Sequence, residues 1–231
     1  MREYEIEAEL LHTFYRHGAQ APAYTSIVAG GANACILHYV QNDAELKSGD
    51  LLLIDAGCEL NGYASDITRT FPVNGKFTAA QRDVYQLVLS AQAAAIAEVK
   101  PGSRWNDPHQ AALQVLAQGF IDLGLCRGSV DEVLESEDYK RFYMHRTGHW
   151  LGMDVHDAGE YKQQGEWREL QPGMVLTVEP GCYIRPADNV SEHFWNMGIR
   201  IEDDVVVTPS GHELLTEAAP KTIVAIEELM Q

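Results

Sequence analysis

Positive charge is scarce in this chain. Seventeen lysines and arginines face thirty-four aspartates and glutamates, a formal net charge of −17. A nucleic-acid partner requires a basic stripe to neutralise phosphates, and this balance excludes one. Cysteine is sparse as well: Cys35, Cys58, Cys126 and Cys182 show no CxxC spacing and no zinc pattern. Cys58 and Cys182 follow apolar runs, where a free thiol behaves as a small hydrophobe. All four read as reduced thiols, which suits a cytoplasmic protein. Long apolar runs are missing, so no membrane span is expected. A secretory leader is not expected either, because Met1 is followed at once by charged, helix-forming sequence. Low-complexity tracts and linkers are also lacking. With 45% hydrophobic and 22% charged residues, positions 1–231 read as one domain with a sizeable core. The acidic stretch Glu132, Glu135, Glu137 and Asp138 reads as solvated surface.

What is present begins with an amphipathic pattern over 3–17, where Ile6, Leu10, Leu11, Phe14 and Tyr15 share one helical face. Glu3, Glu5 and Glu7 open it, where the helix dipole favours acids. A Gly/Ala/Ser-rich stretch follows from Gly18 to Ala34. Asp50–Ile54 reads as a buried strand, and Tyr63–Phe71 as its partner across an Asn61-Gly62 turn. Thr78 is an N-cap for a helix to about Val99, and a second helix spans about Asp107 to Leu123 before Gly124. The last third predicts strands over 148–156, 174–179, 181–185 and 198–207, with a short helix near 222–230. Strands, then helices, then strands point to an α+β fold.

The segment SGDLLLIDAGC (Ser48–Cys58) returns in altered form as PGMVLTVEPGC (Pro172–Cys182). Six of the eleven positions match or nearly match at a constant offset of 124, with Asp55 over Glu179. Two buried strands ending in Gly turns can resemble each other by chance. An internal duplication would instead bring equivalent strands together and aim both carboxylates at one site.

Other residues favour such a site. Asp55 and Asp66 flank the turn, directly opposed if the hairpin centres between Leu60 and Asn61 and diagonal if it slips by half a residue. Carboxylates that close repel unless one takes a proton or a cation lies between them. His149 and His156 lie in HWLGMDVH, on opposite faces if that segment is extended. A lone histidine is more often a hydrogen-bonded core or surface residue, but His38, His145, His149 and His156 stand together near carboxylate-tipped strands. In GIRIEDDVVV, Arg200 and Glu202 share a strand face, so Arg200 can hold a carboxylate in place. Asp204 shares that face too, and alternation does not choose between Glu202 and Asp204. Four carboxylates and an imidazole make a hard, oxygen-rich set that suits a pair of manganese, cobalt or iron ions better than structural zinc. Two such ions can share a hydroxide and polarise a carbonyl, which is hydrolysis of an amide or a related bond.

HYVQNDAELKSGDLLLIDAGCELNGYASDITRTFPVNGKFT, HRTGHWLGMDVHD, EPGCYI and GIRIEDDVVVT closely resemble the catalytic domain of bacterial Xaa-Pro aminopeptidases (aminopeptidase P). These are pita-bread metallopeptidases of the creatinase/aminopeptidase fold, and the resemblance runs through nearly the whole chain. It implies a duplicated fold with a curved antiparallel sheet covered by helices. It implies two divalent metal ions, manganese first, on Asp55, Asp66, His149, Glu179 and Glu202. In such enzymes a bridging hydroxide attacks the bond between the first residue and proline, with Glu179 as general base. His156 and His38 would bind substrate and stabilise the intermediate, His145 would line the proline side, and Arg200 is counted with them as a substrate-binding candidate. The implied partners are proline-containing peptides and further copies of the chain.

Bacterial members carry a further domain before this one, and nothing here corresponds to it. The expectation is a catalytic domain over 1–231, an excised fragment rather than a naturally short homologue. Prolidase motifs overlap these so far that only substrate length separates the two. Methionine aminopeptidase shares the fold and ligand order but differs beside the final glutamate, and creatinase lacks the metals. A pita-bread module that only binds peptides or proteins is a reading of another class; such modules usually lose ligands, and all five stand here.

Overall fold

In the computed structural model, which describes residues 1–231, helix α1 (Glu3–Arg16) precedes three antiparallel strands. These are β1 (Ile27–Gly30), β2 (Leu51–Ala56) and β3 (Ile67–Pro72), with β2 central. Helices α2 (Ala79–Ala97), α3 (Asp107–Asp122) and α4 (Val130–Glu135) follow. The chain then returns through β4 (Val175–Val178), β5 (Gly181–Ile184), β6 (Met197–Arg200), β7 (Asp203–Thr208) and β8 (Gly211–Leu214), closing with α5 (Ile223–Leu229). β8, β7 and β4 form a second three-stranded ladder, and β5 pairs with β6. The Glu202 N–H donates to the Thr68 carbonyl at 3.1 Å, and the Thr70 hydroxyl donates to the Arg200 carbonyl at 3.1 Å. These bonds stitch β3 to the end of β6 and to the break before β7, joining the small sheets.

Local chemistry explains the elements. The run LLLIDA of β2 is buried along almost its whole length, because ladders flank it on both sides. Asn61 and Gly62 adopt φ of 54° and 80°, the paired left-handed conformation of a type I′ hairpin. The Thr78 side chain accepts from the Gln81 N–H while the Gln81 side chain accepts from the Thr78 N–H, a reciprocal cap that starts α2. Gly124, at φ 71°, ends α3. α2 and α3 bury Val84, Tyr85, Val88, Leu113, Leu116 and Phe120 in the main core beneath β4–β7. A smaller cluster with Ile27, Leu53 and Tyr183 fills the other side.

Several expectations need correction. The hairpin centres between Asn61 and Gly62, so Asp55 faces Thr68 in register and Asp66 lies two residues along, on the diagonal. That is a full-residue slip from direct opposition. Its second strand breaks at Ser65-Asp66 into Tyr63–Ala64 and β3. Gly57 faces this break, where a Cβ would come within 1.7 Å of the Ser65 carbonyl oxygen. Residues 148–156 form no strand: only Trp150 bridges to Leu176, and the chain then bends. The 198–207 run divides at Ile201-Glu202 into β6 and β7. β1 lies within the Gly/Ala/Ser-rich stretch, and β8 and α4 were not expected. The apolar face of α1 is only half-buried; its buried residue is Glu3, whose carboxylate accepts from Gly30 N, Ala44 N and the Tyr39 hydroxyl at 2.7–2.8 Å. No helix is long and apolar enough to cross a membrane.

Candidate active site

The strand breaks and the bend converge on one cavity of about 860 Å³. All nine predicted residues line it: Asp55, Asp66, Glu179, Glu202, His149 and Arg200, with His38, His145 and His156. The two repeats therefore do meet, with Asp55 at the end of β2 and Glu179 just past β4 facing the same space.

Asp66, His149 and Glu202 form the tightest group, each offering one donor atom within 4.8 Å of the others. His149 Nε2 lies 3.4 Å from Asp66 Oδ2 and 3.6 Å from Glu179 Oε1. Its Nδ1 is 3.0 Å from the Trp150 carbonyl, which only accepts, so Nδ1 carries the hydrogen and Nε2 is left to face the carboxylates. The Thr68 hydroxyl donates to Glu202 Oε2 at 2.6 Å. Asp55 is gripped from two sides. Its Oδ2 accepts from Arg200 at 2.6 Å and its Oδ1 from the Tyr24 hydroxyl at 2.6 Å. The same hydroxyl is 2.5 Å from Asp66 Oδ1. One hydroxyl hydrogen cannot serve two carboxylates at once, so the pair needs an extra proton or a cation.

Arg200 donates also to Tyr183 Oη at 2.9 Å and to Thr68 Oγ1 at 3.2 Å. His145 Nδ1 faces the Arg146 carbonyl at 2.7 Å and must donate, so its Nε2 accepts from the Tyr183 hydroxyl at 2.8 Å. Asp55, Arg200, Tyr183 and His145 thus form one chain with consistent donors. His38 and His156 are exposed on the rim. The His156 ring stands 4.3 Å from that of His149, edge on. The bend, not an extended strand, brings them together.

The electrostatics describe crowded anions short of cations. Burial, with the neighbouring carboxylates Asp66 and Asp55, pushes Glu179 up to about 7 despite His149 and Arg200. Burial likewise raises Asp55 despite Arg200, and raises Glu202 well above the carboxylate range with Asp66 and Glu179 adding to it. Burial opposes a charge on His149, yet Asp66 and Glu179 lift it to about 9. Burial and Arg200 push His145 down to about 3, so it is neutral and makes no ion pair with Glu179 at 3.8 Å. A set of four carboxylates and one oriented imidazole, with only Arg200 and His149 in compensation, fits divalent cations.

Glu202 and Asp204 separate clearly. Glu202 belongs to the tight cluster, whereas Asp204 Oδ2 accepts from the Asp66 N–H at 3.1 Å and supports it from behind. Its other oxygen is buried without a partner. Asp203 turns to the opposite side, paired with Arg69 at 2.7 Å and with Lys221. Sequence reasoning missed Tyr24 and Thr68, which have no local motif. The aromatic wall comes from Tyr24, Trp105, Tyr161 and Trp167. Trp195 donates to the Val190 carbonyl at 3.0 Å and packs on the core. Tyr183 reaches the site only through its hydroxyl.

A family model described as metallopeptidase family M24 matches residues 1–209. The chain is 54% identical over 228 residues to a Haemophilus influenzae Xaa-Pro aminopeptidase, covering 99% of this chain and 53% of that protein. It is 50% identical over 230 residues to the Escherichia coli Xaa-Pro aminopeptidase, covering 100% of this chain and 52% of that protein. Among solved structures, Pseudomonas aeruginosa aminopeptidase PepP superposes with a TM-score of 0.98 at 57% identity, over 100% of this chain and 52% of that one. The chain thus spans about half the length of the relatives it matches.

Proposed function

Because the chain belongs to metallopeptidase family M24 and has the pita-bread fold of the aminopeptidase P structures, we propose that it releases the N-terminal residue from peptides with proline second. The observation that carries this reading is the cluster of Asp66, His149 and Glu202 with Asp55 and Glu179 beside it, every donor already aimed into one cavity. The proposed ligands are Asp55, Asp66, His149, Glu179 and Glu202. Two divalent ions held there, manganese first, would supply an acidified water and polarise the carbonyl of the scissile bond.

The protein's own groups divide the remaining work. Glu179, which faces the cavity beside His149, takes the proton of the attacking water and returns it to the proline nitrogen as the bond breaks. Arg200 and Tyr24 keep Asp55 from turning away. His38 and His156, exposed on the cavity rim, donate to the carbonyl oxygen as charge develops on it. Neutral His145, held by Tyr183 and the Arg146 carbonyl, lines the proline side. A peptide bond to proline lacks the N–H that other aminopeptidases fit, so shape must replace that hydrogen bond.

The reading is tested with chelated protein, with and without added manganese, on an Xaa-Pro-Xaa tripeptide, an Xaa-Pro dipeptide and a methionine-initiated peptide lacking proline. Manganese-dependent release only before proline, faster on the tripeptide, is the expected result. Preference for the dipeptide would make it a prolidase. Cleavage of the methionine peptide alone would overturn the proposal.

A further inference from the structure

One wall of the cavity plays no part in the chemistry above. It is made by Trp105, Arg146, Tyr161 and Trp167. Trp167 stands on a hairpin (Lys162–Gln163 with Glu166–Trp167) whose turn, Gln164-Gly165, has φ of 52° and 88°. That hairpin is tied down at its base. The Arg168 N–H donates to the Tyr161 carbonyl at 3.0 Å, and the Trp105 N–H donates to the Arg168 carbonyl at 2.8 Å. Its indole lies between two cations, with Lys162 Nζ 4.3 Å and Arg146 Cζ 5.2 Å from the ring centroid. Arg146 also donates to Asn106 Oδ1. Neither the indole nor the amide neutralises it.

Only two lysine or arginine side chains line this acidic cavity, Arg146 and Arg200. Arg200 is buried and saturated by Asp55, Tyr183 and Thr68. Arg146 is exposed, positive at every working pH, and stacked in a fixed pose. It follows His145 in the chain and lines the same cavity, with its guanidinium held on the aromatic wall away from the carboxylate cluster. At about 860 Å³ the cavity is near the top of the roughly 300–1,000 Å³ range of ligand sites, and holds more than a scissile bond.

We propose that Arg146, braced on Trp167 and Asn106, is a specificity-determining subsite for a carboxylate on the residue after proline. The inference rests on the aminopeptidase reading: a peptide whose amino terminus enters the carboxylate cluster extends its far end past His145. Two sources carry this chemistry, the C-terminal carboxylate of a tripeptide and the side chain of an acidic third residue. Both meet a guanidinium that presents paired donors.

The test compares the manganese-loaded full chain on Ala-Pro-Leu, Ala-Pro-Leu-amide and Ala-Pro-Glu-amide, with Arg146→Met and Arg146→Lys variants alongside. The free acid, the glutamyl amide, or both should be favoured over the leucyl amide by roughly five- to tenfold, through KM rather than kcat, as a partly exposed charged hydrogen bond allows. Which of the two is favoured identifies the source. In Arg146→Met the ratio should fall to about one, and Arg146→Lys should keep part of it. An unchanged ratio in Arg146→Met overturns the subsite while leaving the aminopeptidase reading intact. Calorimetric binding of Pro-Leu, Pro-Leu-amide and Pro-Glu-amide supplies a readout independent of turnover, with the source favoured in cleavage favoured here over Pro-Leu-amide and the same collapse in Arg146→Met. If no proline peptide is cleaved or bound, the subsite falls together with the reading beneath it.

Discussion

Tyr24 shows how a site residue can be invisible in sequence and plain in space. Its hydroxyl touches Asp55 and Asp66 at 2.6 and 2.5 Å, across sequence separations of 31 and 42. No local pattern announces it. Removing that hydroxyl in Tyr24→Phe leaves the ring but takes away one of the two grips on Asp55 and the bond to Asp66. Manganese affinity is expected to fall roughly 10- to 100-fold, as is usual when an outer partner of a ligand is lost; isothermal titration of wild type and variant checks it. Unchanged affinity would mean that the hydroxyl merely fills the metal-free site. Asp55 and Glu179, by contrast, were legible, because each ends an apolar run that recurs in the chain, and Asp66 because it flanks the same turn as Asp55. Choosing Glu202 over Asp204 was not, since alternation treats them alike and only the neighbours decide. Thr68 faces the first, and the Asp66 backbone faces the second.

Among the elements, punctuation was easier to read than continuity. Asn61-Gly62, Thr78 and Gly124 act through bonds within a few residues, and each marks the turn, cap or stop that it predicts. The interruptions at Ser65-Asp66, at Ile201-Glu202 and after Trp150 carry no such mark, because the strand pattern runs on through them. They arise where the chain leaves the sheet to point side chains into the cavity, which is a tertiary demand. Helix α2 supports those breaks from below. Fully buried Gln92 donates to the Val178 and Ile201 carbonyls at 3.3 and 3.2 Å and to Asp203 at 3.0 Å. These bonds tie the ends of β4 and β6 to one helix. Gln92→Leu should strand buried acceptors and destabilise the fold by about 1–3 kcal/mol, read from the urea midpoint. It should also weaken manganese binding, because Glu179 and Glu202 follow those carbonyls directly. A stability loss with metal affinity intact would limit Gln92 to a packing role.

For the molecule as a whole, the acidic centre couples folding to metal and to pH. In the metal-free protein Glu179 and Asp204 are pushed up to about 7 and His149 to about 9, all above their ordinary values. Groups raised in this way stabilise the folded chain at low pH, and the contribution is lost as pH rises through the folded values. His145 and His109, pushed down to about 3 by burial, oppose that loss up to about pH 6.5 and are neutral in both states above it, where the loss from His149 stands alone. Bound cations replace the displaced protons, so metal affinity rises with pH. The gap in Tm between manganese-loaded and chelated protein should therefore widen steadily from about pH 6 to about pH 8.5. A gap independent of pH would show that the carboxylates and His149 are not the binding groups.

The most direct test of the two-metal peptidase is a stepwise manganese titration of chelated protein, following bound metal and Xaa-Pro-Xaa cleavage in the same samples. The account predicts two ions per chain and cleavage that appears only as the metal loads. Cleavage by the metal-free protein, or no metal bound at neutral pH, would contradict it.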